Sequence, residues 1–148
     1  MYTLIFFSIL CGVFYPIDGQ NQDSQAMMAK VTSVLQKCSE ETGATPNVIT
    51  KIKLKQPVTT RQEKCMLFCT YRELKLQTPD GEFSLDVAIS NLRNVAIEDS
   101  KLLDKLVEVY TKCSKIPFIE DPCEYATAIA ICGITEAEKM GIDTSLLQ

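Results

Sequence analysis

Residues 60–69 read Thr-Arg-Gln-Glu-Lys-Cys-Met-Leu-Phe-Cys. Thr60 followed by Glu63 is a capping box, in which each side chain accepts a hydrogen bond from the other residue's backbone, so a helix is predicted to begin here. Cys65 and Cys69 are four residues apart and share one face of that helix, pointing towards neighbouring elements more readily than towards each other. One helix fixed to two partners indicates a disulfide-linked helical fold.

A leader segment precedes the helical region. Residues 3–15 form an uncharged, mostly apolar run of 13, which is typical of a signal peptide and too short to span a bilayer. We predict a signal peptide over 1–19 and one mature domain over 20–148, with an uncleaved anchor as the alternative. Cys11 leaves with the leader, and the six remaining cysteines favour three disulfides in an oxidising compartment. The expected product is therefore secreted and extracellular.

Apolar spacing and capping residues predict six helices, and hence an all-α fold class. Nearly all residues from Tyr125 to Ile134 are apolar, so the last helix is expected to have protein on every side and to lie in the middle of the bundle. The segments and their end signals are 25–38 ending at Gly43, a short helix opened by Thr45 and Pro46, 65–76 before the turn Pro79-Asp80-Gly81, a stripe at Leu85, Ala88, Ile89 and Leu92, a stripe at Leu102, Leu103, Leu106, Val107 and Tyr110, and a helix from Asp121 and Pro122 to Gly141.

Lys51-Ile-Lys-Leu-Lys55 does not fit this helical pattern, because it alternates with the period of two that is typical of a strand. A single strand has nothing to pair with here. We therefore interpret the segment as the frayed end of the second helix running into a loop. Its lysines are expected to form a solvated patch, with a membrane or partner contact as the alternative.

Composition excludes several function classes. The chain has no His, so it has no Ser-His-Asp or Cys-His catalytic site and no His-ligated metal. A net charge of −4 argues against nucleic-acid binding, and no apolar run after the leader reaches 18 residues, which argues against stable membrane association. The carboxylate pairs Asp104/Glu108 and Asp121/Glu124 are interpreted as a solvated face and a helix cap. We expect neither an enzyme nor a cofactor, and a secreted enzyme is the least favoured alternative.

Six cysteines carry the strongest signal, with 26, 3, 43, 9 and 8 residues between them. In this spacing, in its signal peptide and in its helical pattern, the chain resembles the insect odorant-binding proteins of the six-cysteine type that carry pheromones and general odorants. Counting alone allows fifteen pairings. The resemblance implies six helices around a closed apolar cavity that carries odorants, pheromones or other small hydrophobic molecules. It also implies three disulfides: Cys38 with Cys69, Cys65 with Cys123, and Cys113 with Cys132.

Two features depart from the better-known members of that family. Without histidine, ligand release driven by an imidazole is not expected. The chain also ends seven residues after Gly141, too short for a long C-terminal helix. Its tail, 142–148, is either a lid that covers the cavity mouth with Leu146 and Leu147 or a frayed terminus.

The apolar stripes supply candidate pocket residues, for each of which ordinary core packing is the alternative. Few aromatic residues stand among many aliphatic ones, which suits a flexible, mainly apolar ligand with one oxygen. Tyr110 is the favoured hydrogen-bond partner, and a core tyrosine bonded to backbone is the alternative. The candidate set is Val31, Leu35, Leu67, Tyr71, Leu85, Ile89, Leu103, Leu106, Val107, Tyr110, Ile129 and Ile134.

The predicted function is that of a secreted soluble carrier of small hydrophobic ligands, with an olfactory receptor as a possible further partner. The alternative is a secreted, disulfide-linked helical signalling or toxin-like protein that acts through its surface. Saturable binding of an apolar probe discriminates between them, because only the carrier binds it. The sequence leaves open the ligand's identity, the tissue and the oligomeric state.

Overall fold

A computed structural model describes residues 5–7, 15–17, 22–94 and 99–143. Within those ranges the elements are β1 Ile5–Phe7, β2 Tyr15–Ile17, α1 Gln22–Thr42, α2 Val48–Lys53, α3 Arg61–Glu73, α4 Leu85–Asn94, α5 Ser100–Cys113 and α6 Pro122–Lys139. The two short strands pair antiparallel, with Phe6 opposite Pro16. They lie wholly within the predicted signal peptide, whose other residues are outside the described ranges. The six helices give the all-α fold that the sequence predicts.

Local capping signals begin α3 and α6 at the predicted places. Glu63 N donates to Thr60 Oγ1 at 3.2 Å, and Thr60 N donates to Glu63 Oε2 at 3.3 Å, which completes the capping box. At α6, the backbone N–H groups of Cys123 and Glu124 donate to Asp121 Oδ1. Both predictions are confirmed, because a cap depends only on residues within one turn of the helix.

The beginning of α2 differs from the prediction. Asn47, not Thr45, is the N-cap residue, and the helix begins at Val48. Thr45 Oγ1 donates to Asn47 Oδ1 at 2.5 Å, so it interacts with a side chain instead of accepting from the first helical amides. Pro46 consequently lies in a turn ahead of the helix.

Two helices differ in length from their predicted segments. α1 extends beyond 25–38 at both ends and stops before Gly43, whose φ of 72° is the left-handed conformation expected of a glycine cap. α3 ends at Glu73, before the predicted Leu76. Lys75 takes a φ of 63° there, which ends the helical path.

α6 is the centre of the bundle. It packs against α3, α5 and α2, while α1 packs on α3 and α4 on α5. Its central position is as predicted, but the expectation of protein on every side is wrong, because Ile131 is 47% exposed and Thr135 is also exposed. None of the described helices has both the length and the apolar character that a bilayer span requires.

Three disulfides connect these helices. They join Cys38 of α1 to Cys69 of α3, Cys65 of α3 to Cys123 of α6, and Cys113 of α5 to Cys132 of α6. These are the pairs that the family resemblance implies. α3 is thus linked to two neighbours, as the four-residue spacing of its cysteines indicates, and α6 is linked to α3 and α5.

Ion pairs hold α2 against its neighbours. Lys51 Nζ donates to Glu63 Oε1 of α3, and Lys55 contacts Glu138 of α6 at 3.3 Å. Lys53 also has an interaction partner. The prediction of a solvated patch is therefore wrong for Lys51, whose side chain is 31% exposed, whereas Lys55 stays 78% exposed beside its partner.

Candidate functional site

Eleven of the twelve candidate pocket residues meet in the apolar interior. Seven are buried core residues: Val31, Leu67, Tyr71, Leu106, Tyr110, Ile129 and Ile134. Four more are half-buried and pack against that core: Leu35, Leu85, Leu103 and Val107. The remaining one, Ile89, lies elsewhere, in a depression on α4.

The helices that carry these residues form two pairs. α1 packs with α3, and α4 packs with α5, and each pair reaches α6 through its second member. Over the described ranges, neither α1 nor α3 packs closely against α4 or α5. A direct contact between the pairs lies at the end of α3, where Asn91 Nδ2 of α4 donates to the carbonyl oxygen of Leu74 at 3.5 Å. The half-buried Leu35 belongs to one pair, and Leu85, Leu103 and Val107 belong to the other.

Three tyrosines contribute polar groups to this interior. Tyr71, Tyr110 and Tyr125 are between 2% and 4% exposed. Tyr125 Oη lies 3.5 Å from the carbonyl oxygen of Ile116, to which it donates, and burial raises the pKa of its hydroxyl. Tyr71 and Tyr110 both have interaction partners as well. A tyrosine is already uncharged at neutral pH, and burial shifts the pKa of Tyr125 further in that direction.

The carboxylate pairs of the sequence act as caps and ion-pair partners. Asp121 caps α6 and also accepts from Arg61. Burial raises the pKa of Asp121, but the hydrogen bonds from Arg61 and from two backbone amides together lower it by more than burial raises it. The net shift of the pKa is therefore downward. Glu124 contacts Lys64 at 2.7 Å. This matches the helix-cap interpretation of Asp121.

Asp104 and Glu108, the other pair, lie on the exposed side of α5, where Glu108 contacts Lys112 at 3.0 Å. In the ranges that the structure describes, no group of three or more acidic, Cys or His side chains is placed to hold a metal ion. The carboxylates of these two pairs thus act at the surface of the bundle, as a helix cap and as ion-pair partners.

A depression of about 450 Å³ lies on α4. Ile89 is the one apolar residue of its described lining, and the others are Asp86, Ser90, Arg93 and Asn94. Such a lining does not suit an apolar ligand, because charged and polar side chains offer it little apolar surface to pack against. Ile89 thus lines this polar depression, and its assignment to the ligand pocket stays a prediction.

Several apolar residues around the core were not among the candidates. Some of them stand outside the regular helical stripes, in connecting segments where periodicity gives no signal, and Val58 and Ile116 stand beside Pro57 and Pro117. Their proximity to proline shows only that they lie in loops. Apart from the disulfide-bonded Cys132, the partly buried residues missed are Ile49, Val58, Phe68, Phe83, Val87, Ile116 and Met140.

Comparisons with known proteins agree with this architecture. General odorant-binding protein 19d of Drosophila melanogaster is 25% identical over 128 residues, which cover 86% of this chain and 81% of that protein. The solved structure of odorant-binding protein dmelOBP28a from Drosophila melanogaster superposes with a TM-score of 0.66 at 26% identity, over 82% of this chain and 99% of that one.

Pheromone Binding Protein 3 of Epiphyas postvittana, also solved, gives a TM-score of 0.59 at 25% identity, over 73% of this chain and 96% of that one. The model of the PBP/GOBP family matches residues 20–136. That match spans all six cysteines and most of α6. The chain belongs to the PBP/GOBP family.

Proposed function

We propose that this protein is a secreted carrier that binds small hydrophobic ligands between its two helix pairs, α1–α3 and α4–α5. Its family is one of carriers and not of enzymes. The relatives named for odorant and pheromone binding support odorants, pheromones or related molecules as the ligand class. The observation that carries the proposal is that both pairs pack on α6 and not closely on each other, while their stripes are apolar.

The half-buried aliphatic residues support a site at this place. Leu35, Leu85, Leu103 and Val107 pack against the core without being fully covered by it. When a ligand covers apolar surface that the protein leaves exposed to water, each Å² contributes about 25 cal/mol to the free energy of binding. A flexible aliphatic ligand is the partner that complements such side chains.

The disulfide frame supports a hollow interior energetically. An internal void costs about 24 cal/mol per Å³ in lost packing, and a small domain must offset that cost elsewhere. Here the three cross-links span 31, 58 and 19 residues and fix α1, α3, α5 and α6 to one another. The frame restrains the helices when the space between them is not filled by side chains.

Titration with the fluorescent probe N-phenyl-naphthylamine tests the proposal. We expect saturable binding at one site, with a rise in fluorescence as the probe leaves water, and displacement by long-chain alcohols or esters. A protein that acts only through its surface would show no saturable binding, and that result would overturn the proposal.

The pH dependence of binding should follow carboxylates, because the chain has no His. Glu63 has its pKa lowered chiefly by the hydrogen bond from Lys51, with burial opposing that shift and Thr60 adding to it. A folded-state pKa below the unfolded value of about 4.3 gives stability that is complete above that value and is lost as the pH falls through the lowered pKa. Probe affinity and unfolding free energy should therefore change little between about pH 7.5 and 5.5 and fall below about pH 4.5.

Glu63→Gln isolates this contribution, since glutamine retains the capping-box geometry and loses the charge. It should flatten the loss of stability in acid, measured by denaturant unfolding at each pH, whereas the exposed Glu82→Gln should not. A tenfold loss of probe affinity centred near pH 6.5 would contradict the expectation.

Secretion and receptor contact belong to the same proposal. The apolar run at 3–15 supports export, with 1–19 as the signal peptide and 20–148 as the mature carrier. An olfactory receptor is the further partner that we propose for a secreted odorant carrier. Of the tail proposed as a lid, Ile142 is buried and its N–H donates to Ala137 O at 3.0 Å. Leu146 and Leu147 lie outside the described residues.

A further inference from the structure

Gln77 is a buried polar side chain with one unpaired atom. The residue is 2% exposed, and its Nε2 donates to the carbonyl oxygen of Gly81 at 2.8 Å. Its Oε1 is buried and has no hydrogen-bond partner, which sets it apart from the other buried side-chain polar atoms of the described ranges. A buried acceptor without a donor has lost its hydrogen bonds to water and gained none in return. Such an atom requires a physical explanation.

The loop between α3 and α4 fixes the orientation of this amide. Gln77 and Phe83 face each other in an isolated antiparallel bridge. Gly81 has a φ of 92° and lies so close to α6 that a Cβ in its place would be 2.7 Å from Pro122 Cβ. The carbonyl of Gly81 is therefore held in position and binds Nε2. Oε1, on the other side of the amide carbon, is left for a different partner.

This loop also lies beside the proposed ligand site. It joins α3 of one helix pair to α4 of the other, so it bridges the space between the pairs. Gln77 N donates to the carbonyl of Tyr71 at 3.3 Å. Leu76, the preceding residue, is fully buried in the core. At the other end of the loop, Phe83 and Leu85 pack against the same core.

Resting on the proposed carrier function, we propose that Gln77 Oε1 accepts a hydrogen bond from the bound ligand, and that the protein selects ligands with a hydroxyl or another hydrogen-bond donor. Esters, ethers, aldehydes and hydrocarbons have no such donor and leave Oε1 unpaired. Because Nε2 is engaged by Gly81, the amide offers only an acceptor to the ligand. The apolar remainder of the ligand lies among the aliphatic side chains.

Competition against N-phenyl-naphthylamine tests the selectivity. The two competitors are a straight-chain primary alcohol and the methyl ether with the same number of heavy atoms, which present similar apolar surface and one oxygen each. Only the alcohol donates a hydrogen bond. We expect the alcohol to bind about tenfold more tightly than the ether, which corresponds to about 1.4 kcal/mol.

Gln77→Met tests the residue, because methionine is similarly long and unbranched and lacks the carbonyl acceptor. The alcohol should fall to the affinity of the ether, and the ether's affinity should stay the same. A loop loosened by loss of the bond to Gly81 would weaken both competitors alike, so the ratio of the two affinities separates the two effects. The matched control is Gln62→Met, at an exposed position of α3, which should keep the preference for the alcohol.

Equal affinities of alcohol and ether in the parent protein, or a preference that survives in Gln77→Met, would overturn the assignment to Gln77 and leave the carrier function standing. Failure of the probe to bind saturably would overturn the carrier function and the assignment together.

Discussion

Replacing Cys65 and Cys123 together by alanine should lower the free energy of unfolding by about 4 kcal/mol. This disulfide closes the longest disulfide-bounded loop in the protein's described part, with its two cysteines 58 positions apart in the sequence. In the chain-entropy model a cross-link stabilises the fold by restricting the unfolded chain, and the effect grows with the length of the closed loop. For a domain whose whole stability is about 5–15 kcal/mol, the loss is large.

The matched control is the double replacement of Cys113 and Cys132 by alanine. Each of the two disulfides joins one buried and one half-buried cysteine, and both end on α6. The disulfide between Cys113 and Cys132 closes a loop of only 19 residues, so its removal should lower the free energy of unfolding by about 3 kcal/mol. Guanidinium unfolding under non-reducing conditions measures both. If the shorter loop proved the costlier one to open, local packing and not chain entropy would govern the frame.

Leu106→Glu should abolish probe binding, with at least a hundredfold loss of affinity, and lower the unfolding free energy by about 4 kcal/mol or more. Leu106 is 5% exposed and lies on α5, on the pair that faces the proposed site. A carboxylate buried among the apolar side chains of the core loses its hydration. Fluorescence titration gives the affinity, and circular dichroism reports whether the helices persist.

Two control variants accompany this change. Ile131→Glu makes the same kind of substitution at an aliphatic residue that is 47% exposed on α6, and Lys101→Ala alters an exposed residue of α5. Both should bind the probe as the parent does. If Leu106→Glu does not fold, the half-buried Leu103→Glu replaces it with the same expectation for binding. Equal loss of affinity at Leu106 or Leu103 and at Ile131 would place the probe outside the interior.

Local sequence signals predicted the points where several elements begin and end. The capping box at Thr60, the cap at Asp121 and the turn that ends at Gly81 all depend on hydrogen bonds within a few residues. The sequence carries such information directly, because no distant part of the chain is needed to form them. Thr45 shows the limit, since the helix begins only after Asn47, whose side chain accepts from Thr45 Oγ1 and makes no capping hydrogen bond.

Cysteine spacing by itself determined that α3 bears two cross-links, and the family resemblance supplied their partners. Cys65 and Cys69 share a face at any helical geometry, so the double linkage of one helix follows from the spacing. Which helices they reach is a question of tertiary packing. α3 lies between α1 and α6, and this brings Cys38 to one of its cysteines and Cys123 to the other.

Apolar spacing predicted which face each helix buries. It predicted less well what surrounds each residue on that face. Ile129 and Ile131 are equally apolar neighbours on α6, yet the first is fully buried and the second is 47% exposed. In α4, Ala88 and Leu92 enter the core while Ile89 lines a polar depression. A helix that is apolar all round gives no direction from its own sequence, so the direction comes from the helices that pack on it.

The sequence by itself thus determined the all-α class, the caps that bound α3 and α6 and the absence of an imidazole, each of which depends on composition or on neighbouring residues. Only the tertiary structure decided that Lys51 pairs with Glu63, that the two helix pairs meet through α6 and that Gln77 is buried with Oε1 unpaired. These contacts join residues that are distant in the chain or depend on which surfaces water can reach. Burial and pairing are properties of the packed chain, and packing converts an ordinary loop glutamine into a candidate for ligand selection.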